Sequence, residues 1–368
     1  MPRLSFSLFW RAHRVSPHLA TLLPVCRDLI SARNELRWIR QHVVDLMSHT
    51  SGKTRTSPQT KNAQIALLTR LCRRRGIGVP LQYVLGSQPF GNLDIKCRPG
   101  VLIPRPETEA WVTHLADIAC RHTDTNRAGG AANLRVLDLC LGSGCIGLLL
   151  HSLLERQFPR LSVRGFDVES DAVVLARQNL VHNTRRGLLH NPNDSILFLD
   201  ADIFDPAWLA SLVRHGGREH GRMRRGPVVD VLVSNPPYIS TRGFDRDTER
   251  SVRNYEPKRA LVPPPKPAIA DGKPEDVFYV RLLEILEVLR SRFAVFEVGD
   301  LEQARRVAEM AIRQFEGVGA GVVKVEIWRD WPDMQPEEHE VDSMEISGLQ
   351  IPVKGSGNGR AVFIRRAT

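Results

Sequence analysis

The chain has 368 residues, 42% of them hydrophobic, and carries a formal net charge of +10. That is enough apolar material for one main domain with a smaller one beside it, which excludes a disordered chain. No apolar run approaches the roughly 20 residues that span a bilayer, and Cys26, Cys72, Cys97, Cys120, Cys140 and Cys145 form no C-x-x-C pair or zinc spacing, so neither membrane span, metal nor disulfide is expected.

Met1 to Arg27 contains no acidic residue, and its first part interleaves Arg3, Arg11 and Arg14 with Phe6, Leu8, Phe9 and Trp10. Residues 1–16 therefore read as a mitochondrial targeting segment, with an ordinary basic N-terminus as the alternative. Residues 17–82 are expected to form a small helical domain, because Leu19, Leu22, Leu23, Cys26 and Ile30, then Leu36, Ile39, Val43 and Leu46, then Ile65, Leu68, Leu71 and Cys72 recur mostly at three- and four-residue steps. Ser48 to Ser57 reads as a loop, and Arg73-Arg74-Arg75 as a basic helix end that complements the dipole. Residues 83–104, with Gly91-Asn92 and Pro99-Gly100, carry hairpin chemistry and read as a connector, against which Gln82 and Tyr83 pack.

Residues 105–368 alternate strands with helices, which predicts an α/β domain built on a mostly parallel sheet with helices on both faces. Seven strands are expected, at Leu134 to Leu139, Leu161 to Phe166, Ser195 to Leu199, Val229 to Val233, Phe293 to Val298, Val322 to Trp328 and Ala361 to Arg365. The basic stretch 215–227 and the stretches 122–133, 263–275 and 331–359 read as loops or insertions.

Ligands of such sheets bind beyond the carboxyl ends of the strands, and the chemistry-bearing residues cluster there. Asp138 sits in a strand that runs into the turn Leu141-Gly142-Ser143-Gly144, where glycines permit positive φ and close approach of a ligand. Such a turn suits a dinucleotide or a nucleoside equally. Asp167, ending the next strand, has the spacing for two ribose hydroxyls, and Asp202, after a third, for an adenine edge. Asn235-Pro236-Pro237-Tyr238 leaves the strand Val229 to Val233. A neutral side-chain acceptor, a carbonyl followed by a residue with no N–H, and an aromatic ring can hold both hydrogens of a planar NH2 group and stack on its face. Asn235, Pro236 and Tyr238 are thus the catalytic candidates, by positioning; no histidine or cysteine is nominated as a base.

In this order the motifs resemble S-adenosylmethionine-dependent methyltransferases, and more closely the HemK/PrmC-type protein-(glutamine-N5) methyltransferases. The resemblance runs from about Pro17 to Arg366. It rests on Pro80-Leu-Gln-Tyr-Val-Leu-Gly86, Leu102-Ile-Pro-Arg-Pro-Glu-Thr-Glu109, the glycine turn, Asn235-Pro-Pro-Tyr238, Tyr255-Glu-Pro257 and Phe296-Glu-Val-Gly299. It implies a Rossmann-like class I fold whose helical domain recognises substrate. It also implies S-adenosyl-L-methionine held by Gly142, Gly144, Asp167 and Asn235, with Asp138 and Asp202 as further cofactor-binding candidates. The substrate would be the glutamine of the Gly-Gly-Gln loop of a peptide-chain release factor, held by Asn235, Pro236, Pro237 and Tyr238 with Arg105 and Glu107. Without the resemblance, Arg105 and Glu107 read equally as a surface ion pair beside a helix start, Glu256 as a turn residue and Glu297 as structural. Two departures stand out: Cys140-Leu141 opens the turn where relatives have Gly-Thr, and Ile203 replaces an aromatic residue, which leaves one adenine wall open to question.

A monomer in the mitochondrial matrix is expected, with the cytoplasm as second choice. The rival reading is a nucleic-acid N-methyltransferase that flips an adenine or guanine into the cleft, which the basic charge would suit; the helical domain and the Pro104–Glu109 and Tyr255–Pro257 motifs oppose it, so nucleic acid is not expected as direct substrate. A third reading, a catalytically silent binding subunit, conflicts with the intact Asn235–Tyr238 motif and Asp167.

Overall fold

The computed structural model describes residues 4–50, 58–122, 133–190, 192, 195–216, 218–219, 222–223, 228–265, 273–316 and 323–366. In chain order these form α1 (Phe6–Val15), α2 (Pro17–Cys26), α3 (Leu29–Thr50), α4 (Pro58–Gly76), α5 (Leu81–Leu85), β1 (Ser87–Phe90), β2 (Leu93–Lys96), α6 (Pro106–His122), β3 (Asn133–Leu139) and α7 (Cys145–Leu154). Then come β4 (Arg160–Asp167), α8 (Ser170–Arg185), β5 (Ile196–Asp200), α9 (Pro206–Gly216), β6 (Arg218–Glu219), β7 (Arg222–Met223), β8 (Val231–Ser234), α10 (Thr241–Arg246) and α11 (Arg250–Tyr255). The last are α12 (Val277–Leu289), β9 (Phe293–Glu297), α13 (Leu301–Phe315), β10 (Val323–Trp331), β11 (Ser343–Ile346), β12 (Leu349–Lys354) and β13 (Ser356–Arg366). No described helix is long and apolar enough to cross a membrane.

The chain divides into two compact units: Met1–Gln88, Cys97–Pro99 and Glu249–Glu256 form the first, and Pro89–Lys96, Gly100–Thr248 and Pro257–Thr368 the second. In the first, α2 stops where Arg27 turns left-handed (φ 69°) and its N–H bonds back to the Leu23 carbonyl. Asp28 then starts α3, its Oδ1 accepting the N–H groups of Ile30 and Ser31 at 2.8 Å. This fresh start resets the helical phase. Ala32, Leu36, Ile39 and Val43 face inward, while Ile30, expected in the apolar stripe, is 72% exposed. Leu46 and Ile65 are exposed as well. Arg75 does more than close a helix: its guanidinium grips Glu35 of α3 with two hydrogen bonds, 2.7 and 2.8 Å. Tyr83, read as the start of the connector, lies buried in α5, which ends on left-handed Gly86.

The second unit carries a nine-stranded sheet in the order β11-β12-β10-β13-β9-β8-β3-β4-β5. β8, β3, β4 and β5 run parallel, as do β8 and β9, whereas β13 runs antiparallel between β9 and β10. Both faces are covered, so the central strands β8 and β9 are buried along their whole length rather than alternating. Val136, Val231, Val233 and Val295 pack on one side with Trp111 and Val112 of α6 and Leu148 to Leu150 of α7. Leu137, Leu232, Ala294 and Phe296 pack on the other with Leu282 and Leu286 of α12 and Val307 and Ala311 of α13.

All seven strands expected from sequence are present, and two more extend the sheet. These two lie within 331–359, read from sequence as a loop or insertion. β12 pairs parallel to β10 through Ile327 with Val353, and β11 folds back on β12 through the turn Ser347-Gly348, both at positive φ (50° and 75°). That is the backbone a two-residue hairpin requires, and the alternation of buried Ile351 and Val353 with exposed neighbours was its legible sign. Most of 122–133, half of 263–275 and all of 215–227 except the end of α9, β6 and β7 lie outside the described residues.

Candidate active site

The parallel strands β3, β4, β5 and β8 present their carboxyl ends on one edge of the sheet, where a cavity of about 410 Å³ opens. This volume lies in the range of small-molecule sites. Every residue lining it belongs to the second unit. The wall includes Gly142, Asp167, Asp202, Asn235, Pro237 and Arg105; it does not include Asp138, Gly144, Pro236, Tyr238 or Glu107.

The turn after β3 explains why the two glycines differ. Gly142 (φ 53°) has nothing within 4 Å of where a Cβ would stand, so it leaves room on the cavity side. At Gly144 (φ 77°) a Cβ would meet that of Ala176 at 2.9 Å, so this glycine lets α7 start close against α8. Cys140, a non-glycine residue at the opening of the turn, takes φ 59° all the same. Cys140 and Cys145 both line the wall as thiols; burial pushes Cys145 up to about 12 and Cys140 upward also. Both therefore remain protonated.

The three aspartates occupy different settings. Asp167 accepts the Gly142 N–H on Oδ2 and the Glu169 N–H on Oδ1, each at 2.9 Å, which locks the carboxylate to the glycine turn. Burial raises its carboxyl, and those backbone donors pull it back. Asp138, expected at the cofactor, is fully buried behind the turn, where its Oδ2 accepts the Gly147 N–H at 3.0 Å. Burial pushes its carboxyl up to about 8, partly offset by Gly147; the residue supports the helix start rather than reaching the wall. Asp202 is exposed, and its Oδ1 accepts the Phe204 N–H at 2.9 Å. That bond turns Phe204 onto the wall beside Ile203, edge-on to Phe278 at 5.1 Å. The aromatic surface thought missing at Ile203 is supplied one residue later and from α12.

Asn235 follows β8 at the wall, and its Nδ2 lies 3.5 Å from Thr108 Oγ1. Tyr238 is half-buried; its hydroxyl donates to Glu297 Oε1 at 3.3 Å and its carbonyl accepts from Gln303 at 3.2 Å. Burial, then the Glu297 charge, raises the Tyr238 hydroxyl. Pro236 is buried. Pro236 and Tyr238, nominated to touch substrate through a carbonyl and a ring, are not on the cavity wall, and the Tyr238 hydroxyl and carbonyl tie the segment to Glu297 and Gln303. Glu297, at the end of β9, also accepts from Thr108 (2.6 Å) and Trp111 Nε1 (2.8 Å) on Oε2. Sequence reading gave Glu297 no site role.

The lining fits a nucleoside with an attached amino acid: a glycine-walled recess at Gly142, a carboxylate tied to it at Asp167, and aromatic surface from Phe166, Phe204 and Phe278. With β13 inserted antiparallel beside an otherwise parallel core, the strand order defines a Rossmann-like class I methyltransferase. No family model matches the chain. Curated relatives do match. The mitochondrial MRF1 N(5)-glutamine methyltransferase MTQ1 of Saccharomyces cerevisiae is 33% identical over 320 residues, covering 84% of this chain and 81% of that protein. A probable MRF1 mitochondrial N(5)-glutamine methyltransferase of Schizosaccharomyces pombe is 33% identical over 321 residues, 84% of this chain and 89% of that protein. The release factor glutamine methyltransferase of Bacillus subtilis is 30% identical over 249 residues, 67% and 72% of the two chains. The chain belongs to the release factor glutamine methyltransferase family and is a methyltransferase.

Proposed function

We propose that the protein transfers a methyl group from S-adenosylmethionine to the side-chain amide nitrogen of the glutamine in the Gly-Gly-Gln loop of a mitochondrial release factor. The observation that supports this best is the convergence of Asp167 and Asn235 on one cavity at the ends of β4 and β8. Asp167 and the Gly142 recess hold the cofactor's ribose and amino-acid ends, and Phe204 and Phe278 flank its base. When bound, the cofactor supplies a sulfonium-activated methyl group. The chain's task is then orientation.

A glutamine nitrogen is a poor nucleophile because its lone pair is shared with the carbonyl. Asn235 Oδ1 accepts one of its N–H groups, aims the nitrogen, and favours the state in which that nitrogen becomes more positive. Pro237 forms the adjoining wall. Among the described residues no histidine lines the cavity, and the Cys140 and Cys145 thiols stay protonated, so the wall holds no imidazole or thiolate to act as a base. None is required, since the amide proton becomes acidic as the new bond forms.

Incubating the enzyme with S-adenosylmethionine, a Gly-Gly-Gln-bearing release factor and RNA is the direct test. Fragmentation mass spectrometry is expected to find one added methyl on that glutamine. Methyl appearing in the RNA alone would overturn the reading.

The same reading puts the protein in the mitochondrial matrix. α1 carries Arg11 and Arg14 with exposed Phe6 and Trp10 and no acidic residue, the amphipathic basic helix that mitochondrial import favours. A fluorescent reporter fused behind residues 1–16 is expected to enter mitochondria; a cytosolic signal would make a cytosolic release factor the substrate.

A further inference from the structure

We infer that Thr108, held by Glu297, is a positioning residue that fixes which way the Asn235 amide faces. This rests on the reading that Asn235 accepts a hydrogen bond from the substrate amide. An asparagine side chain is nearly symmetric in shape, so its packing alone does not choose between oxygen and nitrogen. Only a hydrogen-bond partner does.

Thr108 lies in the first turn of α6, is 2% exposed, and lines the cavity. Its hydroxyl has a single hydrogen. Glu297 Oε2 lies 2.6 Å away and also receives the Trp111 Nε1–H at 2.8 Å. An indole N–H can only donate, and Thr108 Oγ1 donates its hydrogen to the same Oε2. Thr108 Oγ1 then has only lone pairs left for Asn235. It selects Nδ2, found 3.5 Å away, and would repel Oδ1 from the same place. With Nδ2 turned to Thr108, Oδ1 is left as the acceptor for the substrate amide. The contact is long, so its effect is on the sense of the amide more than on binding strength. Flipped, Asn235 would present a donor to an NH2 group that has only donors to offer in return.

Thr108→Val preserves the β-branched shape and removes the hydroxyl. We expect the single-turnover rate on a release-factor substrate to fall at least about tenfold, since misaligned reacting groups lose rate steeply, while S-adenosylmethionine affinity changes less than about twofold. Thr108→Ser, which keeps the oxygen, is expected to restore most of the rate. In an Asn235→Ala background Thr108→Val should cost little more, because residues acting through one contact are not additive. Should the valine variant fail to fold, Thr108→Ala provides the same comparison, with cofactor binding as the check on folding. A parental rate in Thr108→Val, or an undiminished loss in the Asn235→Ala background, overturns the inference while the reading of Asn235 stands. A parental rate in Asn235→Ala alone overturns that reading, and the role of Thr108 with it.

Discussion

Asn235→Ala is expected to lower the single-turnover methylation rate by about 10²–10³, the usual cost of losing one preorganised partner to a developing charge. The fold should survive, because the side chain stands at the wall of a cavity beyond the end of β8 and its one described bond, to Thr108, is long. Cofactor affinity should change far less than rate. Asn235→Asp sharpens the comparison: one oxygen can still accept from the substrate, but the other replaces Nδ2 opposite the Thr108 lone pairs, and a charge is added beside a site that must also receive a neutral amide. Reduced, not abolished, activity is expected there. Rapid-quench measurement with enzyme in excess over release factor reads both variants, and parental rates in the two would remove Asn235 from the mechanism.

Asp167→Ala should act on the other half of the site. Hydrogen bonds to a charged acceptor contribute roughly 1.5–3 kcal/mol each, so losing the two proposed to form with the ribose hydroxyls is expected to weaken S-adenosylmethionine binding by at least about a hundredfold at 1.4 kcal/mol per factor of ten. The structure adds a second cause. Asp167 also accepts the N–H groups of Gly142 and Glu169, so its removal loosens the turn that forms the recess. Asp167→Asn keeps the volume, yet its NH2 branch would face one of those two backbone donors. It too should bind weakly. Isothermal titration of folded protein decides the matter, and unchanged affinity in both variants would take Asp167 out of the cofactor site.

Both variants act at strand ends, and strand ends were the part of this molecule most open to sequence reading. A buried parallel strand is a short run of Val, Leu and Phe; β8 and β9 have that form, whereas β3 and β4 carry Val and Leu or Phe between polar residues. Residues just past such runs necessarily face the carboxyl edge. Harder to read were places where local pattern and tertiary setting diverge. Ile30 kept the helical period but missed the core, since the cap at Asp28 began a new helix with a new phase. β11 and β12 were passed over because prolines and acidic residues at 332–342 dominate the impression of that stretch, although Ser347-Gly348 between alternating apolar residues was a hairpin signal.

By itself the sequence determined what depends on neighbours along the chain: seven of the nine strands of the main sheet, the left-handed glycine turn, and the acceptor side chain followed by donor-free prolines at 235–237. Tertiary structure decided what depends on side chains that meet across it. Thr108 and Glu297 are 189 positions apart and share a 2.6 Å hydrogen bond. Asp138 and Asp167 each follow from a strand, yet only the packing of α7 buries the first behind the turn while leaving the second on the wall. Sequence spacing carries distance along a strand or helix; the direction in which a buried hydroxyl must give its one hydrogen is set by whichever acceptor the fold brings beside it, here a carboxylate already claimed by a tryptophan.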